Sequence, residues 1–266
     1  MKKSPADISA ASRKITLALI LSAVIFFSIQ TFILNPLYVY TSSNVVFSTT
    51  PIPEIIEIFN DISYPLGYAL CFASVTYFIF KFSHTRSAKP IVILSVAFLL
   101  RYVANYVLSS IIEGGFRFSD FPASVLLPFG LDMLLFAIIC IAVCVRIRRY
   151  YVAYESTLKA NVTLSKKTPT IHEDVFEGAK LISLKNPLHY SAALTGVLLS
   201  AAKILTRIRY DLAHGAPSGA VDTVWMVVYY VSDLLIAVLV YAASLLLFSY
   251  LEKKTADTPA DYKYHI

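Results

Sequence analysis

PIVILSVAFLLRYVANYVLSSII, residues 90–112, decides the fold. As a helix rising about 1.5 Å per residue it is long enough for a hydrocarbon core of about 30 Å. Its only charged residue is Arg101. The run is continuously apolar rather than alternating, which excludes a spanning β-strand and predicts a transmembrane helix.

Five further stretches read the same way. They cover residues 15–34, 62–80, 124–145, 189–208 and 223–251. The fold class predicted is therefore all-α: a bundle of six membrane-spanning helices with short interfacial helices. It occupies residues 15–251, after an N-terminal segment 1–14 and before a tail 252–266. The first apolar run is too long for a signal peptide and lacks a small-residue cleavage site after it, so a retained anchor is expected.

Composition agrees. The chain is 57 % apolar and 15 % charged, against roughly 45–50 % and about 25 % in soluble domains. Mean hydropathy is +0.66. A soluble fold of 266 residues could not hide that much apolar surface. Eighteen Tyr and 17 Phe suit the aromatic belts of a membrane protein.

The net charge of +6 reads as topology control rather than nucleic-acid binding, because the basic residues gather at the ends of the apolar runs. Lys2, Lys3, Arg13 and Lys14 precede span one, and Lys81, Arg86 and Lys89 follow span two. Segment 146–188 carries Arg146, Arg148, Arg149, Lys159, Lys166, Lys167, Lys180 and Lys185, and the tail has Lys253, Lys254 and Lys263. Segment 35–61 has no Lys or Arg, and the loop after span three has only Arg117. This alternation predicts both termini on the cytoplasmic side, in the cytoplasmic membrane of a bacterial cell. Arg207 and Arg209 fit less well, falling in the turn assigned to the outside.

Between the spans, YVYTSSNVVFSTT (38–50) is rich in β-branched and aromatic residues and is expected to be extended. PIPEIIEIFND (51–61) reads as a short amphipathic helix feeding span two. RIRRYYVAYESTLKA (146–160) is expected to prolong span four. TLSKKTPT (163–170) breaks it, and HEDVFEGAKLISLK (172–185) reads as an interfacial helix. That loop is too small for a core of its own. It carries no phosphate-binding glycine loop. The Leu-Ser pairs of spans one, three and five, and the Pro-x-Gly steps at Pro65 and Pro128, are read as coincidence within a narrow alphabet.

Four ionisable residues lie inside spans: Arg101, Asp132, Lys203 and Asp233. Each costs about 2.5–3.5 kcal/mol at the bilayer centre on insertion scales, so each must face the bundle interior and find partners. All four fall between the midplane and the outer surface. Helical spacing adds Asn105 and Ser109 to Arg101, Ser200 and Arg207 to Lys203, and Trp225 and Tyr229 to Asp233. Tyr64 and Tyr68 share a face of span two. The pattern predicts a polar, aromatic-lined cavity open to the outside, with Arg101, Asn105, Asp132, Lys203, Tyr229 and Asp233 as the ligand-binding set. The bland alternative is a network of internal salt bridges, with Lys203 reaching outward on its long stem.

No catalytic constellation is legible. No His lies in mid-membrane to serve a nucleophilic Ser, and there is no HExxH motif. Cys140 and Cys144 are four apart, but no third ligand joins them, so core packing is expected rather than a metal site. No cofactor is implied, and the chain is not expected to be an enzyme. Three functional classes remain. One is a small-solute transporter or its membrane substrate-binding subunit, taking a small polar or zwitterionic solute. Arg101 and Lys203 would hold an anionic group, and Asp132 and Asp233 a cation or proton. The second is a non-catalytic accessory or assembly protein that binds another membrane protein, its charges structural. The third is a membrane enzyme acting on lipid-linked substrates.

Overall fold

The structure, a computed structural model, describes residues 5–48, 50, 52–82, 88–112, 115–164, 180–214 and 220–254. Every regular element among them is helical. In chain order they are α1 (Pro5–Ile29), α2 (Asn35–Ser43), α3 (Val45–Ser48), α4 (Ile52–Phe82), α5 (Lys89–Ile112), α6 (Leu127–Leu164), α7 (Pro187–His214) and α8 (Ala220–Lys254). Six helical stretches are long and apolar enough to cross a membrane: Leu17–Ser43, Ser63–Lys81, Lys89–Ile112, Phe118–Ser156, Pro187–Arg209 and Met226–Lys254.

α4 is the axis of the bundle. Its apolar window is 72 % buried, whereas the other five lie between 17 % and 44 %. Side-chain pairs fix the directions of its neighbours. Gln30 of α1's continuation bonds Asn60, and Phe98 and Phe72 are in ring contact, so those helices run against α4. Tyr151 reaches the Phe80 carbonyl and Tyr77 stacks on Phe248, so α6 and α8 run with it. Ser191 donates to Thr76 from the start of α7. The start of α1 and the end of α8 therefore share one end of the bundle, called here the terminal end. The opposite, far end carries residues 115–121, the end of α7 and the start of α8.

The outward faces are greasy at helical spacing. On α6, Leu127, Leu131, Leu134, Ile138, Ile141 and Val145 are all exposed, at intervals of three and four residues. Water would penalise such a stripe. Lipid would not, and the helices already satisfy their own backbone groups.

Two wide turns bend the helix ends. Gln30–Leu34 and Pro122–Leu126 are π-helical, with Asn35 N–H bonding the Gln30 carbonyl and Leu127 N–H bonding the Pro122 carbonyl. Each ends two residues before a proline, Pro36 or Pro128. Proline cannot donate to the carbonyl four residues back and its ring crowds that position, so a widened turn there relieves both problems.

Three expectations about the connections need correction. Residues 38–43 and 45–48 are helical rather than extended, and only Asn44 between them has an extended backbone: α2 and α3 continue the first apolar run. β-propensity loses because α2 packs against α4 and α5, and the Thr41 hydroxyl is satisfied by the Leu37 carbonyl at 2.9 Å. Residues 52–61 are not a separate helix. They open α4, which passes through Pro65 without a break. The interfacial helix expected over 172–185 is not formed in its described part. Residues 180–186 are turns, and Asn186 caps α7 by accepting from the Leu188 N–H at 2.9 Å. Residues 171–179 lie outside the described residues, as does the tail from 255. The expected prolongation of span four is present, as α6 runs on to Leu164.

α7 and α8 form the most extensive helix pair. Gly196 makes this possible: a Cβ there would stand 2.5 Å from the Ala237 carbonyl oxygen. Ala192 and Ser200, one turn away on either side, are also small and buried. Small residues at such intervals let membrane helices approach closely. Gly196→Val is expected to force the pair apart and cost about 1–3 kcal/mol. The check is the thermal unfolding midpoint of the detergent-solubilised protein; an unchanged midpoint would refute this role for Gly196.

Candidate functional site

The centre of interest is a cleft of about 460 Å³ in the far half of the bundle. α4 contributes Asn60, Tyr64, Pro65 and Tyr68, and α5 contributes Tyr102. α6 brings Pro128 and Asp132, and α7 brings Lys203 and Thr206. The remaining wall is aliphatic, including Leu135, Leu199 and Ile236. Its size falls within the roughly 300–1,000 Å³ of small-molecule sites, as does its mixture of apolar wall and a few placed polar groups.

Asp132 is the best-held of those groups. It lies one helical turn past Pro128 on the cleft face of α6. Tyr68 donates its hydroxyl to Asp132 Oδ2, and Tyr102 donates to the same oxygen at 2.6 Å. Tyr64 and Tyr68 hydroxyls are 3.0 Å apart. Because Tyr68 gives its proton to Asp132, Tyr64 is the donor in that pair. Both bonds to the carboxylate fall on Oδ2, and Oδ1 has no hydrogen-bond partner among the described residues.

Arg101 sits one layer behind. It is 7 % exposed. Its guanidinium carbon stands 4.1 Å from the Phe27 ring centroid, 4.7 Å from that of Tyr64 and 5.0 Å from that of Tyr102. Nη1 makes a long contact of 3.5 Å to the Tyr68 hydroxyl. Arg101 and Asp132 therefore do not form an ion pair. They share a tyrosine, and the cation is stabilised by ring faces, an interaction worth about 2 kcal/mol or more when desolvated. Gly67 leaves the space that the Phe27 ring occupies.

Asp233 belongs elsewhere. Arg207 donates Nε to its Oδ2 at 2.6 Å and Nη2 to its Oδ1 at 3.4 Å. Ser200 donates to the Asp233 carbonyl at 2.6 Å. The Tyr229 ring lies 4.6 Å from the Arg207 guanidinium and is half exposed. This forked, charge-assisted pair locks α7 to α8. Arg207 is thus a helical residue with a buried partner, not a residue of the outer turn, because α7 extends to His214. The Trp225 side chain lies outside the described residues.

Asn105 is also apart from the cleft. It accepts from Asn35 at 3.1 Å. With Ser109, Arg117 and Asp120 it lines a separate polar depression at the far end. Of the six residues expected to form one cavity, the structure puts Asp132 and Lys203 on one cleft wall and Arg101 behind it. Asp233 and Tyr229 form the ion-pair cluster, and Asn105 holds α2. Of the six, the cleft is lined by Asp132 and Lys203.

Sequence reasoning missed Tyr102 and Asn60. Tyr102 follows Arg101 directly, and neighbours in a helix point about 100° apart, so a stripe drawn through Arg101 and Asn105 skips it. The signal available was Phe98, four residues earlier on the Tyr102 face. Also unforeseen was a polar seam in the terminal half, where His189 and the Tyr241 hydroxyl are 2.7 Å apart. Among the described residues no three His, Cys, Asp or Glu side chains gather as a metal-binding group.

No family model, curated protein or solved structure matches this chain.

Proposed function

We propose that this multi-pass membrane protein binds a small polar solute in the cleft, as a transporter or as the membrane substrate-binding subunit of one. The observation that carries this reading is Asp132: an intramembrane carboxylate positioned by two tyrosine hydroxyls, with its second oxygen left to the cleft. Ionisable residues within spans are costly, and a built site for one marks a binding function. In this reading the terminal end faces the cytoplasm, following the Lys and Arg distribution, and the cleft opens on the other side.

The test is a thermal-shift screen of the purified protein against polar metabolites, ions and lipid headgroups. A ligand bound only by the folded state adds about 2.7 kcal/mol at a hundredfold excess over its Kd. The expected result is a stabilising compound whose effect disappears in Asp132→Asn. If no compound shifts the midpoint, or if Asp132→Asn responds like the parent, the reading fails.

The ion pair between Arg207 and Asp233 favours a second reading for its own part of the molecule. It is complete within the chain, as expected of an accessory membrane protein whose charges hold helices together for a protein partner. Under that reading Asp132→Asn lowers stability without altering any ligand response, and cross-linking recovers the partner.

A further inference from the structure

The polar depression at the far end shares no lining residue with the cleft. It holds about 460 Å³ between the last turns of α5 and residues 115–124. That segment is pinned over the helix end. Gly115 N–H bonds the Ser110 carbonyl at 3.0 Å. The Tyr106 hydroxyl donates to the Arg117 carbonyl. The Tyr106 ring packs edge-on against Phe116 and Phe121, with centroids 5.4 and 5.6 Å away. From Lys89 to Ser110 α5 rises about 32 Å, close to the thickness of a hydrocarbon core of about 30 Å. With Lys89 at one interface, the depression stands at the level of the lipid headgroups on the other side.

Its polar groups are not used up by the protein. Ser110 is 7 % exposed, yet its hydroxyl has no hydrogen-bond partner among the described residues. Asn105 commits its Oδ1 to Asn35 and keeps its Nδ2 donors. Ser119 donates to Asp120 Oδ1 at 3.0 Å, which leaves Oδ2. Arg117 and Asp120 are both exposed, and among the described residues neither forms an ion pair. The depression therefore carries one charge of each sign. A purely anionic or cationic ligand would leave one of them unmatched, whereas a zwitterion meets both. The last carbonyls of α5 add partial negative charge, which favours an ammonium beside Ser110. Next to the depression, Phe116 and Phe118 are 52 % and 78 % exposed. Aromatic rings at this level suit the boundary where acyl chains begin.

We propose that this depression is a phospholipid site that takes a phosphoethanolamine head, its phosphate on Arg117 and Asn105 Nδ2 and its ammonium on Asp120 Oδ2 and the Ser110 hydroxyl. The acyl chains leave past Phe116 and Phe118. The guanidinium fork matches phosphate oxygens. A primary ammonium donates three hydrogen bonds, and the carboxylate and hydroxyl accept them. A trimethylated head has no such donor, and a glycerol head has no positive charge for Asp120.

The test is native mass spectrometry of the full-length protein in detergent, after exchange with dioleoyl phosphatidylethanolamine, phosphatidylcholine or phosphatidylglycerol at equal concentration. Phosphatidylethanolamine is expected to be retained on the order of 10-fold more than either of the others, the worth of one charge-assisted hydrogen bond. In Asp120→Asn that preference disappears. In Arg117→Gln retention of phosphatidylethanolamine and phosphatidylcholine falls together, because both carry the phosphate, and the ratio between them stays. Both side chains are exposed, so the variants leave the packing of the bundle alone. Glycerophosphoethanolamine, the same head without chains, is expected to compete weakly. Equal retention of the three lipids by the unaltered chain overturns the headgroup assignment. A preference that survives Asp120→Asn removes the depression as the site. Competition by glycerophosphoethanolamine as strong as that of the lipid overturns the lipid as occupant and makes the ligand a free solute.

Discussion

Replacing Arg101 with alanine is expected to destabilise the protein by about 3–5 kcal/mol, the range seen when a buried charge network loses one member. The argument comes from its surroundings. The guanidinium fills the space between Phe27, Tyr64, Tyr68 and Tyr102, so truncation leaves a void lined by four rings and forfeits their contact with the cation. It also takes away the positive charge that faces Asp132 through Tyr68. Arg101→Lys separates the two effects. It keeps the charge but replaces a planar, stackable group with a compact ammonium that hydrates strongly. An intermediate loss is expected for lysine. The measurement is the thermal midpoint of each variant in the same detergent, with aggregation followed by size-exclusion chromatography. Equal midpoints for Arg101→Ala and the parent would mean that the box does not hold the helices together.

Much of the architecture was legible because the bilayer leaves few choices. Twenty apolar residues in a row, bounded by Lys and Arg, admit one backbone solution. The six spans follow from that alone, as does the run-on of α6 through Tyr150 and Tyr151, whose rings pack on Phe80. The connections were less legible. Residues 38–48 look like strand by side-chain type, yet they are helical on either side of Asn44, with α2 packed against α4 and α5. The turns around Asn186 resist prediction for the opposite reason. HEDVFEGAKLISLK has helical periodicity, but residues 180–186 end in a cap for α7, and the capping bond to Leu188 N–H competes with a helix running through it.

The site was legible in its ingredients and not in its pairing. Periodicity placed Arg101, Asp132, Lys203 and Asp233 on inward faces at similar depth. It could not say which inward faces meet, since helix order in the bundle is absent from any single span. The natural assumption, two bases against two acids, fails on both counts. Asp132 takes tyrosine donors, and Asp233 takes Arg207, a residue read on the Lys203 face of span five yet counted with Arg209 in the outer turn, although the fifth apolar run was taken to residue 208. Counting apolar residues locates where a helix enters lipid but not where the helix ends. α7 runs six residues further, to His214.

The pair at Arg207 and Asp233 should respond asymmetrically to substitution, and the asymmetry separates a structural lock from a ligand site. Asp233 is buried, with 3 % of its side chain exposed, while Arg207 is a quarter exposed. Asp233→Asn leaves a long cation that can swing toward the nearby far end of the bundle and find water, as arginines near helix ends do. Its expected cost is about 1 kcal/mol, mainly the lost hydrogen bonds. Arg207→Gln leaves the Asp233 carboxylate buried on α8 without the Arg207 charge and with no stem to carry it out. That variant is expected to lose about 3–5 kcal/mol, the penalty of an unpaired buried charge. The double variant Arg207→Gln, Asp233→Asn removes the stranded charge and should recover most of the difference, giving a large coupling in a double-mutant cycle of thermal midpoints. A ligand held at Asp132 should stabilise all three variants about as much as it stabilises the parent, because the lock lies outside the cleft. If Asp233→Asn instead abolished the ligand response while leaving the midpoint high, the ion pair would be part of the binding site.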